Sequence, residues 1–561
     1  MIGVIAKSGQ EGVVEEFFQL FKTPWEWYRP GQRYDVVLST SDEVPEVNPR
    51  LLLLFGAELK TFDTQIGISV RECRGRSVLN ATDCPIPVYD RFLTFVNTGG
   101  ISCVNGKLGV SGIKFNLGES TVIRIGYDLF EQVRLLLSEG QPVENAQMPA
   151  LDNHIRVLRN WILEAGISLL EIPASPHGHS FSVCLTHDID FVGIRHHFVD
   201  RTMCGFVYRA TLGAVRNFFR GRISAIQLLK SWWAVVTLPF VYLGWKEDFW
   251  EPFGWYAEVE KGLPATYFLI PFKGRPGEKV TGPKASLRAT AYDVRELASE
   301  IEALQKQGCE IGVHGIDAWH NPEKGREELE RIQTLAPAAS GVRMHWLLRG
   351  LQTPRALEEA GYEYDSTCGY NETIGYRNGT SRVFLPSGAQ NLLELPMHIQ
   401  DGALFYGEKL DLSPAEARTR CEAIIDHVRA FGGVLTLLWH DRSHAAERFW
   451  GGFYSELLQQ VKAERPWFAT AGQVVSWFRR RRQIEFQRVG TDRSQVRVNY
   501  DGEEIHPAVT LRIYHPKNEV TGASQRTPQF TDFLWNGSRY RELDLDTSCN
   551  SNPDSILCSL P

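Results

Sequence analysis

The sequence predicts an α/β protein built around a (β/α) barrel, with an N-terminal α/β domain and a small C-terminal β domain. From Phe181 to about Arg482, short apolar runs typical of strands alternate with amphipathic stretches typical of helices, which favours parallel strands. Each apolar run ends at a polar or ionisable residue, and a (β/α) barrel builds its active site at the carboxyl ends of its strands. We therefore expect the chemistry of this protein in residues 181–484.

The flanking regions predict separate, smaller units. Residues 1–150 contain short apolar runs broken by turn residues and then a strand followed by a helix, which indicates a small α/β domain of unknown role. Residues 151–180 are predicted to form a helix and a linker rich in Pro, Gly and Ser. Residues 485–561 contain runs in which apolar and polar residues alternate, as in half-buried strands, so we expect a small β domain there.

Composition and charge narrow the classes of function. The 561 residues correspond to about two to four domains, and 43% hydrophobic with 23% charged residues is typical of a folded protein. The net charge of −7 argues against a nucleic-acid partner. The N-terminus lacks the pattern of a secretory signal, and the ten cysteines include no Cys-x-x-Cys pair. A cytoplasmic location with reduced thiols is therefore expected.

A long insertion, residues 195–250, separates the first barrel strand from the second. Its segment 222–245 has nearly the apolar length of a membrane span, but polar residues interrupt it and Pro239 is expected to break a helix. One interpretation is a buried helical pair that covers the barrel. The other is weak contact with a membrane surface, which the basic residues around its Trp-Trp pair would support.

Two carboxylates follow the first barrel strand in the stretch LTHDID. Side chains two apart on a strand share a face, so Asp188 and Asp190 point into one pocket while His187 points elsewhere. Like charges at that distance repel unless a cation lies between them or one takes a proton. A metal hydrolase uses this arrangement, with one carboxylate on the ion and the other accepting a proton from water. A solvated acid pair at a strand end is the alternative.

Further ionisable residues follow other predicted strands of the same region. His314 ends the run CEIGVH, Arg343 and His345 are two apart in GVRMHWL, and His440 ends GGVLTLLWH. Imidazole is the commonest neutral ligand for zinc and similar ions. Three histidines at strand ends of one alternating region favour a functional site.

The ordered motifs LTHDID, EIGVHG, GVRMHW, LELPMHIQD and VLTLLWH resemble the polysaccharide deacetylase family, the NodB-homology carbohydrate esterases. They are especially similar to the branch whose first motif is Asp-x-Asp. The resemblance spans about residues 181–482 and implies a distorted (β/α) barrel with about seven strands. It also implies removal of an N-acetyl group from an amino sugar by water activated at a divalent metal, with zinc expected.

The resemblance implies roles for four catalytic residues. Asp188 would be the general base, and Arg343 would pair with it and keep it ionised. His440 would be the acid that protonates the leaving amine. Asp401 would match the carboxylate of the family's fourth motif.

The resemblance also implies that Asp190 and His314 are metal ligands, but the third ligand departs from the family pattern. The family usually has His-x-x-x-His in its second motif, and this chain has Ala318 at the second position. His320 would face away on a helix, although a loop could bring it back. His345, which shares a face with Arg343, is the preferred third ligand, and both candidates stay open.

Two aromatic residues are predicted to contact substrate. Trp319 lies within reach of the expected site and would either bind substrate or pack in the core. Tyr364 begins the polar, aromatic segment 364–380, which would either form a loop over the pocket or a plain surface loop.

The sequence therefore predicts a metal-dependent hydrolase that removes an N-acetyl or similar acyl group from an amino sugar in surface-glycan metabolism. Two alternatives remain. The substitution of the expected histidine by Ala318 would suit a catalytically silent member that binds glycan or acts as a scaffold. Hydrolysis of another non-peptide C–N bond would use the same ion chemistry.

Overall fold

The computed structural model describes residues 1–42, 48–81, 84–96, 99–281, 285–490, 495–516, 529–537, 540–545 and 556–559. Much of the predicted C-terminal β domain, including 517–528 and 546–555, lies outside the described residues.

The N-terminal region forms one mixed sheet with helices packed against it. Its strands are β1 (Ile2–Ile5), β2 (Trp25–Trp27), β3 (Val36–Ser39), β4 (Leu51–Phe55), β5 (Ser69–Cys73), β6 (Ser77–Ala81), β7 (Cys84–Val88), β8 (Phe92–Val96), β9 (Ile101–Gly106), β10 (Gly109–Leu117) and β11 (Ser120–Ile125). Its helices are α1 (Glu11–Phe21), α2 (Thr61–Gln65) and α3 (Leu129–Ser138). Strands β2, β1, β3, β4 and β11 are parallel neighbours in that order, and β10, β9, β6 and β7 continue the sheet in antiparallel pairs.

The segment predicted as helix and linker contains α4 (Ala150–Glu164) and the short strand β12 (Leu169–Glu171). Further along the chain, the described C-terminal strands are β22 (Glu485–Arg488), β23 (Gln495–Asn499), β24 (Val509–Tyr514), β25 (Gln529–Trp535), β26 (Arg541–Asp544) and β27 (Ile556–Ser559). Strand β12 pairs with β24 in antiparallel fashion, so this segment adds an edge strand to the sheet of β24, β25 and β27. Strands β22, β23 and β26 form a second small sheet.

The central region is a sheet of parallel strands with helices around it. Its strands are β13 (Ser182–Ile189), β14 (Ala265–Leu269), β15 (Glu310–Gly315), β16 (Gly341–Met344), β17 (Tyr364–Asp365), β18 (Leu393–Glu394), β19 (Ile399–Gln400), β20 (Val434–Leu438) and β21 (Trp467–Phe468). Its helices are α5 (Arg201–Tyr208), α6 (Ala214–Phe219), α7 (Ala225–Tyr242), α8 (Phe253–Val259), α9 (Ala298–Lys306), α10 (Pro322–Gln333), α11 (Thr353–Ala360), α12 (Asp401–Phe405), α13 (Pro414–Phe431), α14 (Gly451–Ala463) and α15 (Ala471–Gln483).

These strands confirm the predicted distorted (β/α) barrel. Their order is β18, β17, β16, β15, β14, β13, β20 and β19, every neighbouring pair is parallel, and β21 adds to β13. The two end strands, β18 and β19, follow one another in the chain but do not pair, which leaves the ring of hydrogen bonds open at that point. All eight residues of β13 are buried, as expected for a strand covered on both faces.

Helix start and stop signals in the sequence match the barrel helices where their caps are seen. Ser413 caps α13, and its hydroxyl oxygen accepts a hydrogen bond from the backbone N–H of Glu416 at 3.4 Å. The helix ends at Gly432, whose φ of 72° lies in the left-handed region that favours glycine.

The insertion folds into α5, α6 and α7, which lie on one side of the barrel. On the inner face of α7, Ala234, Leu238 and Val241 are buried in a small apolar cluster with Trp250. The expectation that Pro239 breaks a helix is wrong, because α7 continues through it to Tyr242. Pro239 removes the N–H that would bond to the carbonyl of Val235, but the helix already ends at Tyr242. No helix in the described part of the chain has the length and apolar character needed to cross a bilayer.

One arginine of the Arg-rich helix α15 connects the barrel to the N-terminal region and to the segment after β12. The guanidinium of Arg481 is buried and donates to the backbone carbonyls of Gln19 (2.9 Å), Leu20 (3.4 Å), Pro173 (3.1 Å) and Ile172 (2.5 Å). Burial lowers its pKa to about 9. These bonds join the end of α15 to α1 and to the segment after β12.

Candidate functional site

Strand β13 delivers two carboxylates to one place because its side chains alternate between faces. Thr186 and Asp188 both contact the buried guanidinium of Arg343, so these alternate residues lie on the inner side of the sheet. The residue between them faces the other way, and the His187 ring packs against Tyr256 with centroids 3.7 Å apart. Asp190 directly follows the strand and continues the inward face.

Asp190 lies beside two imidazoles that other strands supply. Its Oδ1 is 3.4 Å from Nε2 of His314, at the end of β15, and 3.5 Å from Nε2 of His345, directly after β16. The candidate ligand atoms of these three residues all lie within 4.8 Å of one another. Asp190 Oδ1 is buried without a hydrogen-bond partner among the described residues. A buried carboxylate oxygen without a donor is a position that a cation would satisfy.

The hydrogen bond at the far side of His314 orients it as a ligand. Its Nδ1 donates to the backbone carbonyl of Arg343 at 2.9 Å, which leaves the Nε2 lone pair directed at Asp190. Burial lowers the pKa of His345 to about 3, so this imidazole is neutral. Two imidazoles and one carboxylate fit a divalent cation.

The structure distinguishes the two candidates for the third position. His345 joins Asp190 and His314, with the two imidazole centroids 4.9 Å apart. His320 instead lies 3.2 Å from Oδ1 of Asp317, outside that group. The turn that places His345 is unusual, because the next two residues, Trp346 and Leu347, have φ angles of 65° and 52°.

Asp188 is held by a buried ion pair rather than by the imidazoles. Its Oδ1 accepts from Nη1 of Arg343 at 3.0 Å, whereas its Oδ2 is 3.8 Å from Nε2 of His314. The remaining donors of Arg343 bind Thr186 Oγ1 at 2.8 Å and the backbone and hydroxyl oxygens of Ser366, both at 2.9 Å. A guanidinium with all its directions occupied fixes the carboxylate and balances its charge.

His440, which follows the strand next to β13, forms a second charged pair with Asp401. Nδ1 of His440 donates to Asp401 Oδ1 at 2.6 Å, its backbone N–H donates to Oδ2 at 3.0 Å, and the hydroxyl of Ser443 also donates to Oδ2. Burial would lower the pKa of His440, but the Asp401 carboxylate outweighs it and raises that pKa to about 9. Burial would raise the pKa of Asp401, but the charge of His440 outweighs it and lowers that pKa to about 2. His440 is therefore a proton carrier with 23% of its side chain exposed.

Both groups open into one cavity of about 170 Å³. Of the predicted site residues, Asp188, Asp190, His314, His345 and His440 line it. Arg343 and Asp401 stand behind them as the partners of Asp188 and His440. Asn371, in the segment 364–380 that the sequence predicts as either a loop over the pocket or a surface loop, also lines the cavity. Further lining residues were not predicted from the sequence: Trp346, Leu347, Gln400, Gly402, Tyr406, Lys409, Leu438, Asp441, Arg442 and Arg448. Several of these directly follow the ends of β16, β19 and β20, which is the signal that would have found them.

The structure places neither predicted aromatic contact at the cavity. Tyr364 is the first residue of β17, and its hydroxyl donates at 2.8 Å to Glu310, the first residue of β15. It therefore lies at the amino ends of the strands, opposite the site. Trp319 packs against the barrel core, and its carbonyl accepts from Thr353 at 2.8 Å. Trp346 lines the cavity instead.

This chain is similar to several solved structures. No family model matches the chain, and no curated protein matches it. The chain is similar to a Mycobacterium smegmatis protein described as a polysaccharide deacetylase (20% identity, 55% of this chain, 94% of that chain, TM-score 0.32). It is also similar to PuuE allantoinase (13%, 54% and 92%, TM-score 0.34) and to Agd3, described as a carbohydrate deacetylase (9%, 99% and 99%, TM-score 0.39). Polysaccharide deacetylases are thus among the similar structures, as the motifs predict, but such low scores leave this chain's function to be argued from its own site.

The geometry predicts which histidine is needed for metal binding. We expect His314→Ala and His345→Ala each to lower zinc affinity by at least about tenfold, because each removes one of three ligands. His320→Ala is the matched control and should keep the affinity of the parent protein. Zinc titration by calorimetry, with bound metal counted by mass spectrometry, measures this. Loss of affinity in His320→Ala, with His345→Ala unchanged, would reverse the ligand assignment.

Proposed function

We propose that this protein is a metal-dependent hydrolase that removes an N-acetyl or similar acyl group from an amino sugar, in the manner of the Asp-x-Asp deacetylases that its motifs resemble. One observation carries the proposal. A single cavity combines a three-residue ion site, a carboxylate held by an arginine and a protonated imidazole held by a second carboxylate. Acyl-amine hydrolysis needs an electrophile, a base and an acid, and these groups supply all three.

Asp190, His314 and His345 would hold the ion, and zinc suits a set of two imidazoles and one carboxylate. When bound, such an ion polarises the acyl carbonyl and makes a water molecule more acidic. The protein's own part is to present three donors from three different strand ends, with His314 locked in the required tautomer by the carbonyl of Arg343.

Asp188 is the group placed to act as base. It lines the cavity, and Arg343 holds its Oδ1 so that Oδ2 is the oxygen free to take a proton from the attacking water. The water oxygen then bonds to the acyl carbon while the C–N bond breaks. The acyl group leaves as a carboxylate.

His440 is the group placed to act as acid. Because Nδ1 donates to Asp401, the remaining N–H at Nε2 is available on the cavity side. A pKa of about 9 keeps that proton in place near neutral pH. Transfer of this proton to the departing nitrogen completes the reaction, with a free amine as the second product.

The lining of the cavity suits a sugar. Trp346 and Tyr406 offer aromatic faces, and Asn371 and Gln400 offer amides, beside the charged groups. The case for a catalytically silent member is weakened, since His345 stands in the position that the missing family histidine left in doubt. Hydrolysis of another C–N bond is still an alternative, and assays with different substrates test it.

Acetate release from N-acetylated sugars tests the proposal. The zinc-loaded protein should release acetate from N-acetylglucosamine oligomers or a related acetamido sugar, and Asp188→Asn should lower kcat by about a hundredfold to ten-thousandfold because it removes the base. Asp426→Asn, on the exposed side of α13, is the matched control and should act like the parent protein. Equal acetate release by Asp188→Asn, or hydrolysis only of cyclic amides, would contradict the deacetylase proposal.

The pH dependence tests the acid. In the free protein His440 keeps its proton up to a pKa of about 9, so kcat/KM should hold through neutral pH and fall as the pH passes that value. Asp401→Asn removes the charge that raises this pKa and should move the alkaline fall to lower pH. Ser443→Ala removes only one hydrogen bond to Asp401 and should move it less. An alkaline limb that stays in place in Asp401→Asn would show that His440 is not the acid.

A further inference from the structure

Three cations line the cavity without a close ion pair among the described residues. Lys409, Arg442 and Arg448 line the same cavity as Asp190 and His440, and among the described residues none of the three side chains has an acidic partner within 4.0 Å. Nε of Arg442 is buried without a hydrogen-bond partner. Charged side chains that face an enclosed cavity without a counter-ion are costly unless a ligand supplies one.

Aromatic rings hold these cations in place. The guanidinium carbon of Arg442 lies 3.7 Å from the ring centroid of Phe191, and that of Arg448 lies 5.0 Å from the centroid of Trp450. Nζ of Lys409 lies 5.6 Å from the centroid of Tyr406. Contacts with ring faces orient a cation and leave its N–H groups free to bind an anion.

The acidic side chains of Asp441 and Glu447, which lie near these cations in the chain, contact other groups. The carboxylate of Asp441 accepts from the backbone N–H groups of Phe191 and Arg442, and burial raises its pKa. Glu447 accepts from the indole of Trp250 at 3.3 Å and lies 3.9 Å from Arg209. Neither forms an ion pair with the three cations that line the cavity.

We propose that Lys409, Arg442 and Arg448 bind an anionic group of the substrate next to the acylated amino sugar. This inference rests on the proposed function and narrows it to acidic substrates. The planar guanidinium fork matches the paired oxygens of a phosphate or a carboxylate, and the lysine adds a point charge. The shared chemistry is an oxyanion, which either a sugar phosphate or a uronic acid would bring.

Three N-acetylated sugars, one neutral and two carrying different oxyanions, test this subsite. Acetate release is measured for N-acetylglucosamine, its 1-phosphate and an N-acetylated amino-sugar uronic acid. The parent protein should prefer one charged substrate over the neutral one by about tenfold to a hundredfold in kcat/KM. Arg448→Gln and Arg442→Gln should remove that preference, mainly through KM. Arg355→Gln, on the exposed face of α11, is the control and should keep it.

The outcomes separate the subsite from the reaction. Acetate release at equal rates from neutral and charged sugars would overturn the subsite and leave the hydrolase standing. If no sugar is hydrolysed, calorimetry measures binding of the 1-phosphate and of the uronic acid. Binding of either one that weakens at least about tenfold in Arg448→Gln supports the anion site without the reaction, and unchanged or absent binding of both overturns it.

A second, independent observation concerns the outer face of the insertion. Helix α7 is apolar on two sides, and only one of them is buried. The other side presents a stripe at helical spacing, with every side chain at least 46% exposed: Ile226, Leu229, Trp233, Val236, Phe240 and Leu243. Phe219, before α7, and Trp245, after it, are 82% and 75% exposed and extend this surface.

The charge within the segment that carries this stripe is of one sign. Residues 201–246 contain seven arginines and lysines and no aspartate or glutamate. Arg216, Arg220 and Lys230 are exposed on the same helices. An apolar stripe with tryptophans and flanking cations matches the anionic surface of a phospholipid bilayer, into which such a helix inserts in plane.

We infer that this surface docks on an anionic membrane. The insertion is fastened to both segments that carry the cationic residues of the cavity. Arg222 forms an ion pair with Asp411, two residues after Lys409, and Ser231 donates to the carbonyl of Ala446, between Arg442 and Arg448. A membrane seated on α7 would therefore lie beside the segments that bound the cavity.

Vesicle flotation tests the membrane surface. The full chain should float with vesicles of phosphatidylcholine and phosphatidylglycerol in equal parts, and less with phosphatidylcholine alone or at high salt. Leu229→Ser combined with Trp233→Ser should weaken binding by about tenfold or more. Ile101→Ser, an exposed apolar residue of the N-terminal sheet, is the control and should bind like the parent chain.

Two other results of this experiment would contradict membrane binding. The full chain could instead bind neither kind of vesicle and sediment as a dimer that the double substitution converts to a monomer. That result would assign the surface to a second copy of the chain and contradict the membrane proposal. A monomer that ignores vesicles would overturn it as well.

Discussion

The site depends on how two carboxylates at the end of one buried strand are kept apart. Asp188 and Asp190 share the inner face of β13 and its extension, where water screens their repulsion poorly. The barrel solves this by giving them different partners. Arg343 balances Asp188 from β16, while two imidazoles face Asp190, and one oxygen of Asp190 has no hydrogen-bond donor among the described residues. One carboxylate is thereby fixed and the other is left ready for a cation.

The cavity also holds groups of the reverse sign. His440 is kept protonated by the buried Asp401, and the cations of Lys409, Arg442 and Arg448 rest on aromatic rings without acidic partners. The cavity therefore combines carboxylates and imidazoles with cationic N–H donors. Such a preorganised field favours a reaction in which negative charge develops on an acyl oxygen and a proton moves to nitrogen.

The insertion adds a second constraint that the barrel alone does not explain. Its inner side closes a small core with Trp250, which a helix of this length needs for stability. Its outer side leaves large apolar side chains in solvent, an arrangement that soluble surfaces rarely tolerate over so long a stripe. The insertion is bonded to the segments that carry the cationic residues of the cavity. The exposed apolar face is therefore connected structurally to the edge of the cavity.

Local periodicity determined much of this protein in advance. Alternation along a strand is set by backbone geometry, so the sequence by itself placed Asp188 and Asp190 on one face, turned His187 away and put His314 and His440 at strand ends. Alternating strands and helices likewise determined a parallel barrel. Only the tertiary structure decided that His345 rather than His320 faces Asp190, that Tyr364 lies at the opposite end of the barrel, and that three cations line the cavity. Those facts depend on strand register and on loop conformations between residues far apart in the chain, and no short-range pattern encodes such distances.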